Sequence, residues 1–359
     1  MKIIDTFLFS EPFEANLLWL KLSLEEAFVH EWVILENEYT FQGEYKGLWA
    51  ESVLTKDERF SKFRDRIRII QGAFKPQEVY NQDGVFDQIT LRSEDAQREL
   101  ARAYILKTYT DEDYVLISDV DEMLDCTCTE KIEMLSKKIE QDKKGIVRIP
   151  RTRFWYDFDN LWLMSRSTPL VSVRLLREDS RPVGVMRKQT TGPSKEWPRK
   201  VLFEYSFCFT RKEIMRKYDS QSHTGYKLDD IQRGLLCNHV PVSSLRDTQM
   251  SLDPSLWLEK IELNEKNSPA LVRDNLSTLK VNSVDNEYVK NRMLYYPEFF
   301  PRRGFRRILM TVYKKALEHK YKMLVNCPRA RRWYKRIERS VRGVYKKMRT
   351  PQPSPRVNR

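Results

Sequence analysis

At 359 residues, with 41% hydrophobic and 12% aromatic content, the chain has enough apolar side chain for one large packed domain or two ordinary ones, which excludes a largely disordered protein. No run approaches the roughly 20 apolar residues of a membrane span, and the start, MKIIDTFLFSEPFEANLLWL, reads as a strand followed by a helix rather than as a secretion signal. The net charge of +13 is unevenly placed: residues 301–359 hold 20 Lys or Arg against Glu318 and Glu338, so the rest of the chain is mildly acidic. The five cysteines are scattered, without a CxxC pair, which suits a reduced, cytoplasmic location.

In chain order, KIIDTFLF reads as a strand. NLLWLKLSLEEAF reads as a helix with Leu17, Leu20, Leu24 and Phe28 on one face. EWVILEN and RIRIIQGAF are strands, SEDAQRELARAYILKTY is a helix, and YVLIS is a fourth strand. TCTEKIEMLSKKIEQ is a helix in which Thr127 and Glu130 have capping-box spacing. The alternation predicts an α/β fold, a mainly parallel sheet with helices on both faces, over residues 1–145. Ligands of such sheets bind beyond the carboxyl ends of the strands.

After residue 145 the pattern changes. GIVRIPRTRFWYDF, VSVRLLRE and VLFEYSFCFT read as strands with little helix between them, predicting a more antiparallel half over 146–245. Residues 246–300 read as a helical segment packing on this body, closed by the proline-marked YYPEFFPRRG. Residues 301–350 then read as two basic amphipathic helices, with Phe305, Ile308, Leu309, Val312 and Ala316 on the first and Trp333, Ile337, Val341, Tyr345 and Met348 on the second. They suit peripheral docking on an anionic membrane surface, or packing of their apolar stripes on the body. Nucleic acid has charge alone in its favour. Residues 351–359 read as a disordered tail.

The chemistry concentrates in YVLISDVDEML, where a buried-strand pattern runs straight into Asp119, Asp121 and Glu122. In an extended segment, Asp119 and Asp121 fall on one side and offer half a site for a hard divalent cation, Mg²⁺ or Mn²⁺. Such a cation neutralises a leaving diphosphate. The same triplet also occurs in solvated loops and as an acidic cap on a following helix.

KIIDTFLF, VILENEYTFQGEYKGL, the AQRELAR helix and LISDVDEML occur in the order in which they occur in glycosyltransferase family 17, and the sequence resembles that family over roughly residues 2–240. The family includes the enzyme that adds the bisecting N-acetylglucosamine of N-glycans, with many bacterial and viral members. The resemblance implies a GT-A-type, Rossmann-like fold, a nucleotide-sugar donor, a divalent metal and inversion at the anomeric carbon. It makes Asp119 and Asp121 the metal-binding aspartates. It favours His223, in YDSQSHTGY, over His239 as third ligand. The family's Trp-His step ahead of this histidine is absent; Phe203-Glu204-Tyr205-Ser206 stands there, which puts donor specificity in doubt.

The first strands place Thr6, Phe7 and Glu36 toward the donor nucleotide, with Arg98 toward its phosphates. Phe7 also fits a core position and Glu36 a cap on the next turn. Inversion needs a carboxylate base, for which Glu196, Glu204 and Asp229 or Asp230 are candidates; Glu122 is placed to orient donor or metal. Trp155, Tyr156 and Trp162 are candidate platforms for the acceptor sugar, and aromatic runs are also core. The expected activity is therefore a metal-dependent, inverting transfer of a sugar from a UDP-linked or similar donor to a glycan or glycoconjugate hydroxyl. A nucleotidyltransferase would need a glycine-rich phosphate loop, which this chain lacks. The remaining alternative is a basic membrane- or nucleic-acid-binding protein with an inactive body.

Overall fold

The side chains of β1 (Ile3–Leu8) alternate between two apolar layers. Ile3 and Phe7 join Leu18, Leu22, Trp32, Ile34 and Leu116 on one side; Ile4 and Leu8 join Val33, Leu35, Ile105, Val115 and Ile117 on the other. Burial on both faces is what makes these strands read as near-continuous apolar runs. The computed structural model describes residues 1–75, 86–162, 167–188, 197, 200–220 and 258–279, which fall in one compact unit.

β1 lies between β2 (Glu31–Asn37) and β4 (Tyr114–Ile117), with β3 (Ile67–Gly72) beyond β2, and all four are parallel. β8 (Ser167–Ser172), β6 (Ile146–Trp155), β7 (Asn160–Trp162) and β10 (Leu258–Lys260) extend the sheet from β4 by antiparallel pairings. β9 (Leu202–Ser206) runs parallel to β6 and antiparallel to the short β5 (Glu122–Leu124). The expected α/β architecture, parallel first and mixed after residue 145, is therefore present.

α1 (Ala15–Glu25) packs Leu18 and Leu22 on the first layer. Leu17, Leu20 and Leu24 face a third cluster, built with Phe154, Trp155, Phe203 and Tyr205. Phe28 packs on the first layer, so the single apolar face read from the sequence is two faces. α2 (Ala50–Lys56) follows β2, and α3 (Phe86–Thr108) covers the layer opposite α1, with Ala101 and Ile105 buried there.

Two local readings are corrected. VSVRLLRE is mostly helix: β8 ends at Ser172, whose hydroxyl accepts from the Leu175 N–H (3.1 Å) and starts α5 (Val173–Glu178). The expected capping box on α4 (Thr129–Glu140) does not form, because the Thr127 hydroxyl donates to Asp125 (2.6 Å) and Cys128 takes the cap position without a side-chain bond. α6 (Val183–Lys188), α7 (Arg211–Ser220), α8 (Ala270–Asp274) and α9 (Leu276–Leu279) complete the elements. No helix among the described residues is long and apolar enough to cross a membrane. The basic helices expected over 301–350 lie outside the described residues.

Candidate active site

β4 stops at Ile117 and β5 starts at Glu122; between them the chain turns, and the Glu122 N–H donates to the Asp119 carbonyl (2.9 Å). Val120 anchors the turn in the core, 3% exposed. The two aspartates therefore do not share one side of an extended strand, as the period-2 argument required. Asp119 pairs with the guanidinia of Arg98 and Arg187, whereas Asp121 faces the Lys217 ammonium of α7 at 3.8 Å.

Each arginine is also fixed by other partners. Arg98 donates to the Ser118 carbonyl (2.8 Å) and to Glu94 (3.2 Å). Arg187 donates to the Ile117 carbonyl (2.9 Å) and to both Glu122 oxygens (2.8 and 2.9 Å). Glu122 also accepts from Arg151 and from the Thr168 hydroxyl (2.9 Å). Glu204 closes this network. It accepts twice from Arg153 (2.6 and 2.7 Å), once from the Ser206 hydroxyl (2.6 Å), and pairs with Arg151 at 3.0 Å.

The electrostatic outcome differs sharply between the carboxylates. Burial disfavours the ionised form of Asp119, Asp121 and Glu204 alike. At Asp119 the Arg187 and Arg98 charges overcome burial and hold the carboxyl well below the usual range. At Glu204 burial is likewise overcome by Arg151 and Arg153, and the group sits at about 2. At Asp121 burial dominates, opposed by Lys217 and reinforced by Asp119, Glu204 and Glu122, and the carboxyl is pushed up to about 7. Lys217 is half-buried, and Glu14 (3.3 Å) and Asp121 raise it against that desolvation. Asp121 is thus the under-compensated negative charge of the site.

The remaining expectations separate clearly. Thr6 is 2% exposed within β1, and its hydroxyl has no hydrogen-bond partner among the described residues. Phe7 is core, beneath the Lys21 ammonium (4.8 Å to the ring centre). Glu36 caps α2: its carboxylate accepts from the Trp49 and Ala50 N–H groups (2.6 and 3.0 Å) and pairs with Lys46 (3.5 Å), so it is spent on structure. Arg98 reaches Asp119 instead of standing free for phosphate. Trp155 and Tyr156 are 5% and 3% exposed; they stack on each other (5.4 Å), and the Tyr156 hydroxyl bonds that of Tyr218 (2.8 Å). Buried this way, neither presents a face to a sugar. Of Trp162 the structure describes only the backbone, in β7. Glu196, His223, Asp229, Asp230 and His239 lie outside the described residues.

The setting of Glu204, one of the candidate bases, disfavours that role. A carboxylate fixed by two guanidinia and titrating near 2 is a weak proton acceptor at neutral pH. The sequence reading missed Arg187, Arg151, Arg153 and Lys217. For the strand arginines a signal existed, since Arg151 and Arg153, two residues apart, share one side of a strand. Arg187 had none. α6 reaches the site because Gly184 lets it lie against α3, where an added Cβ would fall 3.1 Å from the Asp95 Cα and onto its carboxylate.

Hard carboxylate oxygens with a local deficit of positive charge suit a divalent cation. Asp121 meets that description, and Asp119 adjoins it. Among the described residues no three His, Cys, Asp or Glu side chains converge on a metal-sized site.

No curated protein sequence matches the chain significantly. Among solved structures it is similar to the galactosyltransferase LgtC in complex with donor and acceptor sugar analogs, at 12% identity and a TM-score of 0.26, over 50% of this chain and 60% of that one. It is also similar to an active-site mutant of LgtC, at 14% identity and a TM-score of 0.25, with the same coverage. The chain thus spans less than two thirds of the length of either neighbour. The glycosyltransferase family 17 model matches residues 1–226, a stretch holding the parallel sheet, the Asp119–Asp121 turn and its arginines, and the chain belongs to that family.

Proposed function

We propose that this glycosyltransferase moves a sugar, N-acetylglucosamine or another hexose or pentose, from a UDP-linked donor to a glycan or glycoconjugate hydroxyl, with inversion and with Mn²⁺ or Mg²⁺. Family membership supports sugar transfer, and the parallel-then-mixed sheet is compatible with a GT-A-type reading. The observation that carries the metal and diphosphate is Asp121: a buried carboxylate at the carboxyl edge of the parallel strands, driven up to about 7 by burial and three neighbouring carboxylates.

Asp121 and Asp119 would hold the cation, with His223 as third ligand. When bound, the cation neutralises the diphosphate and stabilises the charge that develops on it. Arg98 and Arg187 keep Asp119 ionised and oriented. Thr6 remains the candidate nucleoside contact of β1, with a buried hydroxyl that no described residue satisfies. With Glu204 committed to arginines, Glu196 and Asp229 remain as bases. Residues 301–350 supply the positive charge for docking on an anionic membrane.

The test is hydrolysis of a panel of UDP-, GDP- and CMP-sugars with Mn²⁺ or Mg²⁺, by wild type and by Asp121→Ala. Cation-dependent cleavage of one donor, lost in the variant, is expected. Cleavage unaffected by a chelator and by the substitution refutes the role given to Asp121.

A further inference from the structure

α1 carries two charges on a helix that is otherwise apolar nearly all round. Lys21 and Glu25 are both 0% exposed, as are Asp5, Ser118 and Glu122. The Lys21 ammonium lies 2.5 Å from Asp5 and 3.1 Å from Glu25. It donates to the Ser118 hydroxyl (3.0 Å) and to the Glu122 carbonyl (2.5 Å). Ser118 in turn donates to Asp5 (2.6 Å). Glu25 accepts from the Leu124 N–H (2.9 Å) and from the Trp32 indole N–H (2.9 Å).

These contacts have a direction. Ser118 is the residue before Asp119, and Glu122 is the residue after Asp121. One ammonium therefore holds both ends of the turn that carries the two aspartates, and Glu25 continues the grip into β5. A buried ion cluster is weak ground for stability, because well-packed apolar side chains of the same shape do as well or better. It is well suited to fixing a unique geometry, since each partner accepts a bond in one place.

We propose that Lys21 is a positioning residue for sugar transfer: from inside α1, with Asp5 and Glu25 as its carboxyl partners, it sets the Asp119–Asp121 turn in register with the strands that bind the donor. This rests on the reading of those aspartates as the donor-side carboxylates.

The test uses full-length protein with Lys21→Met, Asp5→Asn and Glu25→Gln combined, so that no buried charge is left unpaired, and separately Ser118→Ala, which removes one bridging hydroxyl. Three quantities are read: the melting temperature, amide hydrogen exchange of residues 118–124 against β1 and β2, and kcat and KM for donor cleavage. In the triple variant, exchange across the turn is expected to rise and kcat to fall, each about tenfold or more, with KM, the strand amides and the melting temperature little changed. Ser118→Ala should move the same readouts less. Unchanged exchange and kcat in a folded variant overturn the proposal. So does loosening of turn and strands together with a lower melting temperature, which marks Lys21 as merely structural. If the triple variant does not fold, Ser118→Ala decides alone. If wild type cleaves no donor, the donor reading fails while the exchange arm still decides whether Lys21 sets the turn.

Discussion

Asp121→Asn should make the protein more stable and less active. The carboxyl of Asp121 is raised from the ordinary 3.8 to about 7, chiefly by burial and then by Asp119, Glu204 and Glu122 against Lys217. A rise of roughly three units corresponds to a penalty of about 4 kcal/mol once the group is ionised, and relaxation of a real site lowers this to roughly 2–4 kcal/mol. The sign follows from linkage. A carboxyl with a raised folded pKa binds its proton more tightly in the folded state, so it favours folding at low pH. That advantage is lost as pH climbs from the unfolded value through the folded one. Asparagine carries no such charge, and Lys217 keeps Glu14 as its partner. Urea unfolding in the presence of a chelator, from about pH 4 to pH 8, is the assay. The variant should match wild type near the acid end, gain with pH through about 7, and hold its advantage above. Adding Mn²⁺ should then stabilise wild type and not the variant. A difference that stays flat with pH, or a variant less stable at pH 8, would refute the view of Asp121 as an under-compensated charge.

Glu204 should behave in the opposite way. Its carboxyl sits at about 2, held down against burial by Arg151 and Arg153, so its contribution is present above the ordinary 4.5 and is lost as pH falls through the folded value. Glu204→Gln removes the negative charge that Arg153 and Arg151 share, although Arg151 keeps Glu122, and should cost roughly 3–5 kcal/mol at neutral pH by equilibrium unfolding. Normal stability with a selective loss of kcat would return Glu204 to the role of base. Trp155→Ala, which empties a site in the third cluster, should cost roughly 3–5 kcal/mol while leaving acceptor KM unchanged. A raised acceptor KM at wild-type stability would restore Trp155 as a sugar platform.

The strands and the position of the acidic turn were legible because they depend on local pattern. β1, β2 and β4 are short apolar runs, and Asp119 and Asp121 had to lie where β4 ends. The electrostatics were not legible, since they depend on pairs distant in sequence: Arg187 and Asp119 are 68 residues apart, Arg153 and Glu204 are 51. Glu36 illustrates a second limit. Its value as an acceptor for the first N–H groups of α2 depends on where that helix begins, which the loop ahead of it hides. Val171 and Val173 show a third, because β-branched residues on both sides of Ser172 look like strand until the serine hydroxyl turns the chain into a helix. Trp155 and Tyr156 have the composition of either a core or a platform, and burial alone separates the two.

The placement of α1 bears on how such a chain can be rebuilt. Leu18 and Leu22 belong to the layer under the parallel strands, while Leu17, Leu20 and Leu24 belong to the layer under β6 and β9. One helix thus serves as the common wall of both halves. A chimaera that kept residues 1–145 and grafted a foreign second half would have to match that wall leucine by leucine. Such a chain is therefore better altered by changing loops around a fixed scaffold than by exchanging halves as interchangeable parts.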